Sequence, residues 1–209
     1  MRILGISCMF HDASVCVIED GNILFAGHSE RYSREKNDAY LNQDLVQEAL
    51  SWGKPDVIVL HESSKLKKQR RMQQLNWSSI KSAFTEPTAE DWIKKFYPQL
   101  AGIPVTNCLH HQSHAAAGML TVPEDWREAA IVTIDAIGEK QTATISTWEK
   151  GQRIMLRHEV NFPNSLGLFY SAVTAAVGLK PMEDEYILMG MAAYGKPENW
   201  KPLSKKMGK

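Results

Sequence analysis

Three of the seven histidines fall in five consecutive positions, His110-His111-Gln112-Ser113-His114. On a helix, residues four apart share a face, so His110 and His114 can present two imidazoles to one cation. No glutamate follows the first histidine, which separates this run from the zinc-protease motif. Two nitrogens alone hold a metal weakly, and a carboxylate would complete the two-histidine, one-carboxylate set of non-haem iron. Asp135 is the candidate, because it follows the apolar run Ala130-Ile-Val-Thr-Ile134. A carboxylate leaving the end of a buried strand is costly unless it is paired or ligated. Capping and core packing for the histidines, and an ordinary turn for Asp135, are the plain alternatives.

Two further segments carry chemistry. His11-Asp12 lies between the first two expected strands, where an imidazole can serve as a general base. Glu30-Arg31-Tyr32-Ser33-Arg34-Glu35-Lys36 adds cations suited to phosphate or carbamoyl oxygens, or forms no more than a charged loop. The segment Glu183 to Gly195 reads as an apolar helix and turn around Gly190.

The elements that must hold these residues are legible. Strands are expected at Ile3–Cys8, Ser14–Ile18 and Ile23–Ala26, with Asp20-Gly21 as the hairpin turn. An amphipathic helix over Leu41–Trp52 stops at Gly53, and Asp56–His61 returns to strand. Residues 62–82 are indeterminate, although Lys65, Lys67, Lys68, Arg70 and Arg71 read as a solvated helix surface. Thr88 caps a helix, Ile103–Leu109 is a strand, and His110–Leu120 is a helix. The pattern then restarts: a buried-type strand at Ala130–Ile134, strands at Thr142–Trp148 and Ile154–Val160, and a helix from Ser165 to Leu179. At an offset of 130 residues, Gly21 maps onto Gly151 and Ser14 onto Thr144. A duplicated unit of this order is what the actin-like, sugar-kinase-like fold is built from.

Composition narrows the function classes. With 24 Lys+Arg against 24 Asp+Glu the chain has no formal net charge, which argues against a nucleic-acid binder. No apolar run approaches the ~18–20 residues of a membrane span. The N-terminus enters strand-like sequence without a signal-peptide layout. Cys8, Cys16 and Cys108 are scattered, which fits a reducing cytoplasm and neither a disulfide framework nor a Cys-x-x-Cys metal site.

Six motifs stand in order along the chain: Gly5-Ile-Ser with His11-Asp12-Ala-Ser14; Asp20-Gly21 through Glu30-Arg31-Tyr32-Ser33-Arg34-x-Lys36; His110-His111-x-x-His114-Ala115; Asp135-x-x-Gly138-Glu139; Ser165-Leu-Gly-Leu-Phe-Tyr170; and Glu185-Tyr-x-x-Met189-Gly-x-Ala-x-Tyr194-Gly195. Over residues 1 to about 197 this resembles the N-terminal region of the O-carbamoyltransferases of nodulation-factor and antibiotic tailoring. The resemblance implies an actin-like α/β fold, with a complete βββαβαβα first repeat at 1–128 and the beginning of a second at 129–209. It implies a two-step reaction: carbamoyl phosphate and ATP give carbamoyl adenylate in a separate C-terminal domain, and the actin-like domain passes the carbamoyl group to an acceptor hydroxyl. By the same resemblance His110, His114 and Asp135 ligate a divalent metal, Fe(II) with zinc as the alternative, that grips the nucleotide phosphate. His11 would be the base, and Asp12, Arg34, Lys36, Gly138 and Glu139 would contact substrate or nucleotide. The acceptor would be a small sugar-like or antibiotic-like hydroxyl compound.

This chain carries Ala136 where the family usually has glycine, and Ile187 where it usually has lysine. Family members are more than twice as long, and their remaining aspartate ligand, glycine-rich nucleotide contacts and adenylate-forming domain have no counterpart here. The expectation is a fragment or split subunit that meets a complementary chain or itself. Two rival expectations are a catalytically inactive metal- or nucleotide-binding regulatory module, and threonylcarbamoyl transfer in tRNA modification. The neutral charge and the His-Asp hairpin speak against the latter.

Overall fold

The computed structural model describes residues 1–73, 77–196 and 198. Strands β1 (Arg2–Ser7), β2 (Ser14–Glu19) and β3 (Asn22–His28) form an antiparallel meander. Strict alternation drives it: Leu4, Ile6, Val15 and Val17 are buried on one face, while Gly5, Ser7, Ser14 and Cys16 line the other. The hairpin turn needs two residues in the left-handed region, and Asp20 and Gly21 supply them at φ 48° and 87°. β4 (Val57–Leu60) adds to β1 in parallel and β5 (Val105–Asn107) adds to β4, giving the order β3-β2-β1-β4-β5.

Helix α1 (Glu30–Ser33) is a single turn, whereas α2 (Gln43–Ser51) is capped by Asn42, whose side chain accepts from the Asp44 and Leu45 amides. Leu45, Val46 and Ala49 of α2 cover the strand residues, joined by Ile93, Tyr97 and Leu100. Ile93 belongs to α5 (Ala89–Phe96), which Thr88 caps through the Asp91 amide as its sequence predicts. The indeterminate polar stretch contains α3 (Ser64–Gln73) and α4 (Trp77–Thr85), with residues 74–76 outside the described set. α6 (His110–Met119) follows β5 and bridges to a second, separate sheet. That sheet is the antiparallel meander β6 (Glu128–Ile134), β7 (Gln141–Glu149) and β8 (Met155–Asn161), followed by α7 (Leu166–Ala176) and α8 (Glu185–Ala192). Gly151, in the turn leading to β8, has φ 83°, close to that of Gly21. The expected last stretch of the second unit, 199–209, lies outside the described residues. No described helix is long and apolar enough to cross a membrane.

Three expectations need correction. β5 is shorter than Ile103–Leu109, because Pro104 brings no amide to the ladder and Leu109 already caps α6. The basic run is not a wholly solvated surface: Lys67 turns in to Glu62 at 2.6 Å, and Arg70 donates to the Gly138 carbonyl. Most telling, β6 is not a strand buried on both faces. Its inward residue is Thr133, 7% exposed, while Val132 and Ile134 stand 62% and 58% exposed. Thr142, Thr144 and Ser146 of β7 continue the buried hydroxyl face. The physical reason is the polar side of α6: His111 Nδ1 lies 2.9 Å from Thr133 Oγ1, so this face is closed by directional bonds rather than by aliphatic packing.

Candidate functional site

The side chains that could hold a metal come from helix α6 and from the turn between β6 and β7. Leu109, the N-cap in extended backbone, opens α6 at His110 and puts His114 one turn further on the same face. Opposite them, β6 ends at Ile134 and Asp135 begins the turn to β7. That turn is pinned: the Asp135 amide donates to Thr142 O at 2.9 Å, and Asp135 Oδ1 accepts from the Ala136 amide at 2.7 Å. Ser165, the cap of α7, donates from Oγ to the Ala136 carbonyl at 2.6 Å. α7 packs so closely here that a Cβ on Gly167 would sit 2.6 Å from the Ala136 backbone. Ala136 itself is not in the left-handed region, so its methyl sits there without backbone strain.

The ligand atoms converge. His110 Nε2 is 2.8 Å from Asp135 Oδ2 and 3.1 Å from His114 Nε2, and His114 Nε2 is 3.9 Å from Asp135 Oδ2. Two atoms each about 2.1 Å from one ion lie roughly 3–4 Å apart, so the trio fits a single divalent cation. Two imidazoles and one carboxylate suit iron or zinc better than magnesium or calcium. On its far side, His110 Nδ1 is buried without a hydrogen-bond partner, in a cluster with His61 and Glu62.

The electrostatics agree with a cation-seeking site. Burial opposes the charge on Asp135, yet hydrogen bonds from His110 and the Ala136 amide hold its carboxyl at about 2. Burial likewise disfavours a charged His110, but Asp135 outweighs it and raises that imidazole above its ordinary value. Burial, then His110, push His114 down. Nearby Glu62 stays ionised because Lys67 overcomes its desolvation.

Gly138 and Glu139 form the floor. A Cβ on Gly138 would meet His110 Cβ at 3.0 Å, so glycine permits the turn to approach α6. Glu139 is 2% exposed, and its carboxylate accepts from the His110 amide at 3.1 Å and the Ser63 amide at 2.8 Å. It therefore fastens two helix starts to the β6–β7 turn.

The remaining candidates lie apart from the trio. His11 is exposed, its Nδ1 2.6 Å from Asp12 Oδ2, with the tilted Phe10 ring centred 4.6 Å from its own. Lys67 lies over the Phe10 ring and pairs with Glu62, which leads back to His110. Arg34 and Lys36 are exposed, and Lys36 approaches Tyr186 of α8, 4.8 Å from its ring centre. This joins two segments that stand 150 residues apart. Ile187, in place of the family's lysine, is 36% exposed. A groove of about 950 Å³ runs over β1–β3 and the adjoining face of α6, with Ser14, Cys16, His28, His61 and Ser113 among its lining. Sequence reasoning missed Glu62, His28 and Gly167. Glu62 carries no motif of its own, Gly167 stands inside the Ser165–Tyr170 motif with nothing local to show the close approach to Ala136, and only the pairing of β2 with β3 brings His28 beside Asp12.

An uncharacterized protein of Synechocystis sp., sll1178, is 33% identical over 220 residues, covering 94% of this chain and 35% of its own length. An uncharacterized protein of Methanocaldococcus jannaschii, MJ1051, is 29% identical over 192 residues, covering 92% of this chain and 33% of its own length. Nodulation protein NolO of Bradyrhizobium diazoefficiens is 31% identical over 96 residues, covering 45% of this chain and 16% of its own length. The chain thus spans about a third of the length of the first two relatives. The family model described as Carbamoyltransferase N-terminus matches residues 2–205, nearly the whole chain, and the protein belongs to that family.

Proposed function

We propose that this chain is the metal-holding and acceptor-activating part of a carbamoyl-transfer centre. The observation that carries the reading is the convergence of His110 and His114 of α6 with Asp135 of the β6–β7 turn. The fold is read as actin-like: residues 1–128 form a first unit, and 129–209 begin a second with the same opening meander.

A divalent ion held by the trio, Fe(II) or Zn(II), would supply electrostatic stabilisation of a leaving adenylate phosphate. The chain's own residues do the rest. His11 Nε2 takes the proton of an acceptor hydroxyl as its oxygen attacks the carbamoyl carbon. Asp12 accepts from His11 Nδ1 and holds the ring. Arg34 and Lys36 supply positive charge for phosphate oxygens. Gly138 and Glu139 keep the floor in place, which favours an anchoring role for Glu139 over direct nucleotide contact. The groove over β1–β3 is assigned to a sugar-like or antibiotic-like acceptor because His28, which approaches Asp12 beside His11, is part of its lining.

Carbamoyl adenylate formation belongs, on this reading, to polypeptide outside the matched segment. The chain alone is therefore expected to release no pyrophosphate from ATP and carbamoyl phosphate. Carbamoyl-dependent release, measured with a coupled phosphate assay, would overturn the division of labour.

A protein partner is part of the proposal. The outer face of the second sheet bears Val132, Ile134 and Ile145, and nothing among the described residues covers it. An aliphatic face turned outward over a hydroxyl-lined interior is suited to docking. Size exclusion with light scattering is expected to show self-association, or capture of a complementary polypeptide. A compact monomer with strong amide protection across residues 130–195 would count against it.

A further inference from the structure

Asp12 stands between two imidazoles. Its Oδ2 lies 2.6 Å from His11 Nδ1, and its Oδ1 lies 3.5 Å from His28 Nε2. Beyond His28, the other ring nitrogen Nδ1 is 4.0 Å from Glu30 Oε1. His28 ends β3 and Glu30 opens α1, whereas His11 and Asp12 occupy the turn between β1 and β2.

The backbone fixes this meeting. Ser14 pairs with His28 in the ladder, the Ser29 amide donates to Ala13 O at 2.8 Å, and the Ala13 amide donates to Asp38 O at 2.7 Å. Asp12 is held at φ 53°, in the left-handed region. Aspartate is among the residues that enter this region most readily, so the turn holds Asp12 there at little cost.

A carboxylate touched on one oxygen turns freely about its last torsion, because that rotation is broad. A donor on the second oxygen fixes the plane. We propose that His28 is a positioning residue: its Nε2–H attracts Asp12 Oδ1 across 3.5 Å, and the carboxylate so oriented keeps His11 in the Nδ1–H tautomer. The free lone pair of His11 then sits on Nε2, where a hydroxyl proton can be taken. Glu30 stands beyond hydrogen-bond reach of His28 and backs the ring electrostatically.

A cation site made of Asp12, His28 and Glu30 fits less well. Their ligand atoms lie within 4.8 Å of one another, but the closest approaches of the two carboxylates are to opposite nitrogens of the ring. One ion would need both carboxylates at the same nitrogen.

The inference rests on the reading of His11 as the base, but it is tested without turnover. Long-range proton–nitrogen spectra of the ¹⁵N-labelled chain, taken at mildly alkaline pH where imidazoles are neutral, report each histidine's tautomer. The His11 signal is assigned by its loss in His11→Asn. In the unsubstituted chain His11 is expected as the Nδ1–H form. His28→Ala should shift its tautomer ratio roughly tenfold towards Nε2–H, about the effect of one hydrogen bond to a charged group. His28→Gln, whose amide N–H can reach the same oxygen, should restore the ratio. An unchanged ratio in His28→Ala, with the other five histidine signals in place, overturns the proposal, and so does failure of glutamine to rescue. If the ratio behaves as expected while a complemented enzyme keeps its transfer rate in His11→Asn, the base reading alone falls.

Discussion

Replacing His114 by alanine is expected to weaken binding of Fe(II) or Zn(II) by at least ~100-fold, because two donors remain and second-sphere losses alone cost 10–100-fold. His114 is exposed enough for its removal to leave the helix intact, and alanine favours helix, so folding should survive. Titration followed by calorimetry or a competing chelator reads the effect. Equal affinity in the two proteins would remove the site. The same titration has a predicted pH dependence. Metal competes with protons, and the first to be displaced is on His110, whose affinity for a proton Asp135 raises. Apparent affinity should thus fall about tenfold per pH unit below that raised value. It should fall more steeply at lower pH, where His114, which burial pushes down, also takes a proton. Asp135, at about 2, stays ionised throughout.

Glu139→Ala should be the most destabilising single change among the site residues. It removes a carboxylate that is 2% exposed and leaves the Ser63 and His110 amides without their acceptor. Hydrogen bonds to a charged group contribute about 1.5–3 kcal/mol each, so a loss of about 3 kcal/mol is expected. For a chain of this size that corresponds to a fall in Tm of roughly 6–12 °C. Glu139→Gln, which keeps one acceptor oxygen, should lose less. Calorimetry of the three proteins checks the order, and an alanine variant as stable as the parent would show that Glu139 is not an anchor.

Much of this was legible in the residues. Alternation and turn chemistry located the first meander, because β1–β3 bury one face and expose the other. The i,i+4 histidines and the strand-end aspartate were readable because helical periodicity and strand ends are local properties. The inward turn of Lys67 and Arg70 was not, since it depends on Glu62 and on a carbonyl 68 residues away. Glu139 entered as a ligand contact through the family resemblance alone, and the two amides that converge on it are not visible in a sequence. β6 misled for a related reason. Ala130 to Ile134 looks buried on composition, but the partner it meets is the polar side of α6, and that choice is made by the path of the chain between them.

The hydroxyl-lined interior of the second sheet also sets how the molecule answers to temperature. Burial of aliphatic surface carries a large heat-capacity change and weakens on cooling, whereas burial of polar surface contributes with the opposite sign. The first sheet, closed by leucine, isoleucine and valine, belongs to the first regime. The second, closed by Thr133, Thr142, Thr144 and Ser146, belongs to the other. Cooling therefore loosens the first sheet relative to the second, and the two histidines and the aspartate straddle that thermal divide. Covering the aliphatic outer face of β6–β8 would bring the second sheet into the first regime and let both halves of the site soften together.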